Sequence, residues 1–218
     1  MRLLLAVASS NNWPIHQVDI NNAFLYGSLD EEIYLSAPDG YRIATGKVCK
    51  LRRSLYGLKQ ASRQWNLELT NQLTSYGFTQ SSHDHCMFTQ HTTAGIIILL
   101  VYVDDVLITG PSQPHIDKVK HFLHFAFTIK DLGPAKYFLG LEIARSAAGL
   151  SVTQHKYIRD IILDAGLQDS KPAHTPLPLG LKLSIQDAAP LLDPEPYRRL
   201  IGRLLYLSFT RPDVSFGA

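Results

Sequence analysis

The residues best suited to chemistry are two adjacent carboxylates, Asp104 and Asp105, which follow an apolar run at residues 96–101. Two carboxylates this close repel each other, and a nearby cation relieves the repulsion. Hard cations such as Mg²⁺ or Mn²⁺ prefer oxygen ligands. The pair therefore indicates a divalent-cation site. The alternative is a simple polar turn, since aspartate is also a common turn residue.

A third carboxylate, Asp19, favours the cation site over the plain turn. It lies near the end of a predicted strand at residues 15–20, before Asn21 and Asn22. The end of a strand commonly presents reactive side chains. Phe24 follows shortly afterwards and is either ordinary core or, beside a metal-held nucleotide, a ring that presses on the sugar and excludes a 2′-hydroxyl.

The paired carboxylates need a hairpin to present them. The apolar run at residues 96–101 is rich in β-branched residues and bounded by glycine, which favours a buried strand. Residues 106–109 form a second predicted strand. Asp104 and Asp105 are therefore expected together at the tip of a β-hairpin, where both side chains reach a shared cleft.

A helix is predicted next to this hairpin. Apolar side chains at three- and four-residue spacing between residues 58 and 76 indicate an amphipathic helix that Gly77 ends. The free backbone donors at its start would face a phosphate or a base above Lys59 and Gln60. The alternative is a solvated polar face on a helix that only packs.

The remaining periodicity completes a mixed pattern of helices and strands. The N-terminal residues 1–10 fit a core helix, because their apolar core falls short of the roughly 7 to 15 residues of an export signal. A proline-rich stretch at residues 172–196 indicates a linker or an extended covering segment. The other predicted elements are strands at 48–51, 136–145 and 150–153 and helices at 114–124, 155–165 and 197–209.

Charge is distributed unevenly although the net charge is only +2. Seven basic residues fall between Gly40 and Leu67 with no aspartate or glutamate among them, which is an electrostatic footprint for polyanions. They are Arg42, Lys47, Lys50, Arg52, Arg53, Lys59 and Arg63.

Composition excludes several other classes of protein. With 218 residues and 45% hydrophobic content, the chain can bury a sizeable core. Two cysteines imply no disulfide framework and favour a reducing compartment. A zinc site at residues 83–86 is disfavoured, because no second Cys/His pair follows. No stretch approaches the roughly 20 apolar residues of a membrane span, so no membrane partner is expected.

Taken together, these motifs resemble the reverse transcriptase of copia-type LTR retrotransposons. Seven pieces carry the likeness in family order along nearly the whole chain. They are residues 16–27 (HQVDINNAFLYG), 48–51 (VCKL), 54–61 (SLYGLKQA), 100–105 (LVYVDD), 130–133 (KDLG), 137–140 (YFLG) and 210–213 (TRPD).

The resemblance implies an α+β fold, a polymerase palm in which helices back an antiparallel sheet, with a partial thumb and connection and with the fingers largely missing. It divides the chain into a palm with truncated fingers at 1–148, the start of a thumb at 149–170, and a proline-rich linker with an incomplete connection segment at 171–218. The implied location is the cytoplasm, within virus-like particles when a full element is expressed.

The implied activity is RNA-directed DNA polymerisation with two Mg²⁺ or Mn²⁺ ions. By resemblance, the catalytic residues are Asp19, Asp104 and Asp105, and the carbonyl of Ile20 joins these carboxylates as a metal ligand. The implied nucleotide contacts are Phe24, Lys59, Gln60 and Tyr102. The implied primer and template contacts are Arg52, Arg53, Arg63, Leu139 and Gly140.

The implied partners are an RNA or DNA template with its primer, deoxynucleoside triphosphates, and the fingers and RNase H segments that this chain lacks. Ser62 departs from the family pattern, where proline is frequent. Little polymerase activity is expected of the isolated chain, since the fingers cations that hold a triphosphate are missing. A noncatalytic remnant that at most binds nucleic acid is the alternative function.

Overall fold

The computed structural model describes residues 1–42, 44, 46–173 and 191–216 and contains a six-stranded sheet. The chain divides into two units, residues 1–135 and 136–218, and the predicted boundary at 148/149 differs from this division. Within the described residues the chain forms five α-helices.

Among its described residues, the first unit holds three α-helices and eight strands. In chain order they are α1 (Arg2–Ser10), β1 (Ile15–Ile20), β2 (Tyr34–Leu35), β3 (Cys49–Lys50), α2 (Ala61–Ser75), β4 (Thr79–Gln80), β5 (Met87–Thr92), β6 (Gly95–Tyr102), β7 (Asp105–Thr109), α3 (Gln113–Ala126) and β8 (Ile129–Pro134). The sheet order is β4-β5-β6-β7-β1-β8, each pair antiparallel, while β2 pairs with β3. The predicted N-terminal helix, the central strands and the two predicted helices of this unit are confirmed.

One face of the sheet packs against α2 and α3. Side chains alternate along a strand, so every second residue of β1, β6 and β7 faces these helices. The resulting cluster of buried side chains includes Val18, Ile20, Trp65, Leu69, Leu73, Leu99, Val106, Ile108, Ile116, Val119 and Leu123. This packing fixes the ends of β1 and β7 against α2.

A polar cluster around the buried Lys120 ties α3 to the sheet. The Lys120 ammonium donates to His16 Nδ1 at 2.7 Å and to the Asp131 carboxylate at 2.9–3.0 Å. His16 is therefore the neutral tautomer whose Nε2–H donates to Gln113 Oε1 at 3.0 Å. Burial, and then the Lys120 charge, lower the pKa of His16.

The second unit begins with β9 (Tyr137–Phe138), β10 (Leu141–Ser146) and β11 (Gly149–Thr153), which form an antiparallel sheet in the order β11-β10-β9. It continues with α4 (His155–Asp164) and α5 (Glu195–Leu207). The predicted helices at 155–165 and 197–209 are thus confirmed with bounds shifted by up to two residues. Most of the predicted proline-rich segment, residues 174–190, lies outside the described residues.

The predicted single strand at 136–145 is wrong. Leu139 and Gly140 have φ of 49° and 81°, so the chain turns back and β9 pairs with β10. Two consecutive residues with positive φ are the signature of a two-residue hairpin turn. Apolar residues keep an alternating spacing across this turn, and therefore periodicity alone could not reveal it.

Candidate functional site

A cavity of about 490 Å³ opens where β1 and the β6–β7 turn end next to one another. Asp19 reaches it from β1, and Asp104 reaches it from the turn, as the sequence predicted for these two carboxylates. Nine residues line this cavity: Asp19, Ile20, Asn21, Asn22, Leu25, Tyr26, Tyr56, Asp104 and Thr128.

Two hydrogen bonds to backbone carbonyls fix the turn that carries Asp104. The Ile20 N–H donates to the Asp104 carbonyl at 2.8 Å, which joins the turn to the end of β1. The Trp65 indole N–H donates to the Val103 carbonyl at 2.8 Å. Val103 itself has φ of 58°, a left-handed conformation that β-branched residues rarely adopt.

The structure places Asp105 directly after the hairpin turn that carries Asp104. Asp105 is the first residue of β7, where it lies opposite Tyr102 on β6 and Asp19 on β1. It is not among the residues that line the cavity. Asp104 belongs to the turn and Asp105 to the strand, so the two adjacent aspartates have different surroundings, although Asp105 lies directly opposite Asp19 and on the same face of the sheet.

The charges of Asp104 and Asp19 nevertheless affect the pKa of Asp105. Burial is the main cause that raises the pKa of Asp105, and the charges of Asp104 and Asp19 raise it further. A hydrogen bond from Gln17 Nε2 to Asp105 Oδ1, at 3.1 Å, acts in the opposite direction. The three carboxylates thus share an excess of negative charge, which a cation bound at the cavity would relieve.

The donor set fits an incomplete site for a hard cation. Over residues 1–42, 44, 46–173 and 191–216, no group of three or more His, Cys, Asp or Glu is placed to hold a metal ion by itself. Mg²⁺ is usually held by one or two carboxylates and completes its shell with water and substrate phosphates. Asp19 and Asp104 offer that number of carboxylates on one cavity.

Phe24 lies one layer behind the cavity. It belongs to a short 3₁₀ helix, Ala23–Tyr26, is half-buried, and packs against the core cluster. Its ring contacts the Tyr56 ring at a centroid distance of 4.6 Å, and Tyr56 is one of the two tyrosines that line the cavity. Tyr56 was missed as a site residue, although an aromatic residue before Gly57 in the loop leading to α2 could have signalled it.

The other predicted nucleotide contacts lie away from the cavity lining. Lys59 and Gln60 come just before α2, and Gln60 is its N-cap residue. Tyr102 ends β6 and is 56% exposed. None of these three residues, all within the described part of the chain, lines the cavity.

The predicted primer and template contacts fall into two groups. Arg52, Arg53 and Arg63 are exposed on the first unit, and Arg53 Nη1 also donates to the Tyr26 carbonyl at 2.8 Å. Leu139 and Gly140 form the β9–β10 turn of the second unit, where the Tyr206 hydroxyl donates to the Leu139 carbonyl. Arg53 therefore has a structural contact that the other two arginines lack among the described hydrogen bonds.

A search of the described helices finds none that is both long and apolar enough to cross a membrane.

Comparison with known proteins agrees with this architecture. Residues 1–178 match the model of the family described as "Reverse transcriptase (RNA-dependent DNA polymerase)". The chain belongs to the reverse transcriptase family, and the predicted resemblance to copia-type retrotransposon sequences is confirmed.

Its relatives are retrotransposon polyproteins. The chain is 42% identical over 218 residues to the retrovirus-related Pol polyprotein from transposon RE1 and 40% identical over 218 residues to that from transposon RE2, both of Arabidopsis thaliana. It is 38% identical over 227 residues to the Pol polyprotein from transposon TNT 1-94 of Nicotiana tabacum. Each match covers 99% of this chain and only 15–17% of the polyprotein. The chain is thus similar to a short part of much longer proteins.

Proposed function

We propose that this chain is the polymerase centre of a retrotransposon reverse transcriptase, which adds deoxynucleotides to a primer as an RNA or DNA template directs. The observation that supports this most is the placement of Asp19 and Asp104 on one cavity in a chain of the reverse transcriptase family. In this proposal the first unit is the palm, the thumb begins near residue 149, and other Pol polyprotein segments supply the fingers and RNase H.

The carboxylates have distinct roles in this proposal. Asp19, Asp104 and the Ile20 carbonyl would hold Mg²⁺ or Mn²⁺, which when bound supplies charge neutralisation for a triphosphate and a more acidic primer hydroxyl. Asp105 contributes negative charge from the adjoining strand, and the Gln17 amide restrains its carboxylate. We assign the two adjacent aspartates different roles because their surroundings differ.

Selection of the sugar would depend on two aromatic rings in contact, Phe24 and Tyr56. Tyr56 forms a wall of the cavity, and Phe24 supports it from behind. We infer that Phe24 excludes a 2′-hydroxyl by holding the Tyr56 ring in place. Lys59, Gln60 and Tyr102 remain proposed nucleotide contacts. The proposed contacts to primer and template are Arg52, Arg53, Arg63, Leu139 and Gly140.

Metal binding tests the carboxylate assignment directly. Mn²⁺ titration, followed by water proton relaxation, should show weak saturable binding to the parent and its loss in Asp19→Asn/Asp104→Asn. Asp39→Asn removes an exposed carboxylate outside the cavity and should bind like the parent. Equal binding by the double variant and the parent would contradict the assignment.

Primer extension on an RNA template tests the activity, with the chain placed in a longer polyprotein segment that carries fingers. Extension that Asp104→Asn abolishes is the expected result. Salt-dependent binding of nucleic acid without extension would instead favour the noncatalytic remnant, to which the exposed basic residues are also suited. In an active enzyme, Phe24→Val should raise kcat/KM for ribonucleotides relative to deoxyribonucleotides, and an unchanged ratio would return Phe24 to core packing.

A further inference from the structure

The turn that carries Asp104 is held in a conformation that its own sequence disfavours. Val103 lies in the left-handed region with φ of 58°. A branched Cβ makes that region costly for valine, so contacts from outside the turn must maintain it. A relaxed Val103 would carry the neighbouring Asp104 away from its present place on the cavity.

Trp65 supplies one of those contacts. Its side chain is 2% exposed, and its indole N–H donates to the Val103 carbonyl at 2.8 Å. The indole ring is itself fixed by an edge contact with Phe127, at a centroid distance of 5.0 Å, and by a tilted contact with Tyr26, at 6.0 Å. A buried indole N–H needs an acceptor, and here the acceptor is the strained residue next to Asp104.

A second tether comes from the strand that carries Asp19. The Ile20 N–H donates to the Asp104 carbonyl at 2.8 Å. The turn is thus held between α2 on one side and the end of β1 on the other. These two hydrogen bonds together set where the Asp104 carboxylate lies relative to the Asp19 carboxylate.

We propose that Trp65 is a positioning residue for Asp104. Its indole N–H holds the Val103–Asp104 turn in the left-handed conformation that presents the Asp104 carboxylate to the cavity beside Asp19. The consequence for metal binding rests on the proposed function, whereas the consequence for the turn itself does not.

Amide hydrogen exchange at Ile20 reports the turn without any metal or substrate. Replacement of Trp65 by β-(3-benzothienyl)alanine preserves the shape of the ring and removes the N–H donor. This variant should speed Ile20 exchange by about tenfold or more, which corresponds to a loss of about 1.4 kcal/mol of local protection. The Val101 amide, which donates to Cys86 in the same sheet, should not change.

Two further variants separate positioning from packing. Leu73→Ala removes a buried side chain of α2 and should affect Ile20 and Val101 alike, because it weakens the common core. Val103→Gly removes the steric cost of positive φ, since glycine adopts such conformations freely. In that background the replacement of Trp65 should accelerate Ile20 exchange by a smaller factor than in the parent.

The results distinguish this inference from the proposed function. Selective acceleration at Ile20 together with weaker Mn²⁺ binding supports both. If the variant shows selective acceleration of Ile20 exchange and the parent chain does not bind Mn²⁺, the role of Trp65 is supported and the metal site is contradicted. Unchanged Ile20 exchange in the benzothienylalanine variant, or equal acceleration at Val101, would overturn the role of Trp65.

Discussion

Gly27 is a position where one added methyl group should disturb the site from behind. It follows the 3₁₀ helix that carries Phe24 and is buried against α2. A Cβ on Gly27 would lie 2.9 Å from Gln64 Cβ, 3.0 Å from the backbone nitrogen of Trp65 and 3.1 Å from the carbonyl carbon of Gln64. Two of these atoms are helix backbone, so no side-chain rotation can relieve the overlap.

The cost of Gly27→Ala arises from packing alone. Gly27 has φ of −63° and ψ of 129°, which alanine adopts without strain. Overpacking of this kind costs about 1–3 kcal/mol, and the loss of chain entropy in the unfolded state returns about 0.4–1 kcal/mol. We therefore expect a net loss of about 1–2 kcal/mol in the free energy of unfolding. The corresponding fall in Tm is about 2–8 °C.

Urea unfolding followed by circular dichroism measures this change. Gly202→Ala is the control, because its Cβ would meet no atom within 4 Å and the position lies inside α5. The control should be neutral or stabilising by up to about 1 kcal/mol. A Gly27→Ala chain as stable as the parent would refute the close approach between the 3₁₀ helix and α2.

Three further outcomes follow from charges in the first unit. The pKa of Asp105 is raised, so the folded chain binds more protons than the unfolded one in this pH range. The chain therefore loses stability as pH rises from 3.8 through the raised value. Asp105→Asn should remove that loss in urea titrations without metal. The pKa of His16 is lowered, so stability should fall as pH drops below 6.5, and His16→Gln should flatten this acid limb. Neutralising the exposed Arg52, Lys59 and Arg63 together should weaken RNA binding. It should also reduce the slope of log K against log salt by about 0.7–0.9 for each lost phosphate contact.

Each outcome has a clear contradiction. An Asp105→Asn chain that keeps the parent's pH dependence would place the excess charge elsewhere. A His16→Gln chain with the parent's acid limb would assign that limb to other groups. An unchanged salt slope would show that Arg52, Lys59 and Arg63 do not contact phosphate. Arg53 is left intact in that variant because it donates to the Tyr26 carbonyl.

Local sequence was sufficient for elements with a strong pattern of their own. The β-branched run of β6 was predicted to within one residue, and the apolar spacing of α2 and α3 revealed both helices. Strand β8 was missed, because its sequence IKDLGP carries glycine and proline and its pairing with β1 supplies the order. Such long-range pairing leaves no local signal.

For the candidate site too, local sequence predicted some residues, whereas others depend on long-range packing. Asp19 and Asp104 could be placed by the strand ends that precede them. The surroundings of Asp105 depend on where the turn ends and β7 begins and on its pairing with Asp19, which a one-residue shift in register would change. The role of Tyr56 depends on the packing of a loop against Phe24, which no spacing rule describes.

The position of β1 between β7 and β8 bears on how the chain folds during synthesis. Gln17 of β1 and Asp105 of β7 are hydrogen-bonded although they are 88 positions apart, and β8 follows still later. Contacts so distant in sequence form slowly, because a long loop must close before they are gained. On a ribosome making a polyprotein, Asp19 emerges early but can meet Asp104 only after β7 has emerged at about residue 109, and Thr128, which also lines the cavity, emerges later still. The cavity is therefore expected to assemble in one late step.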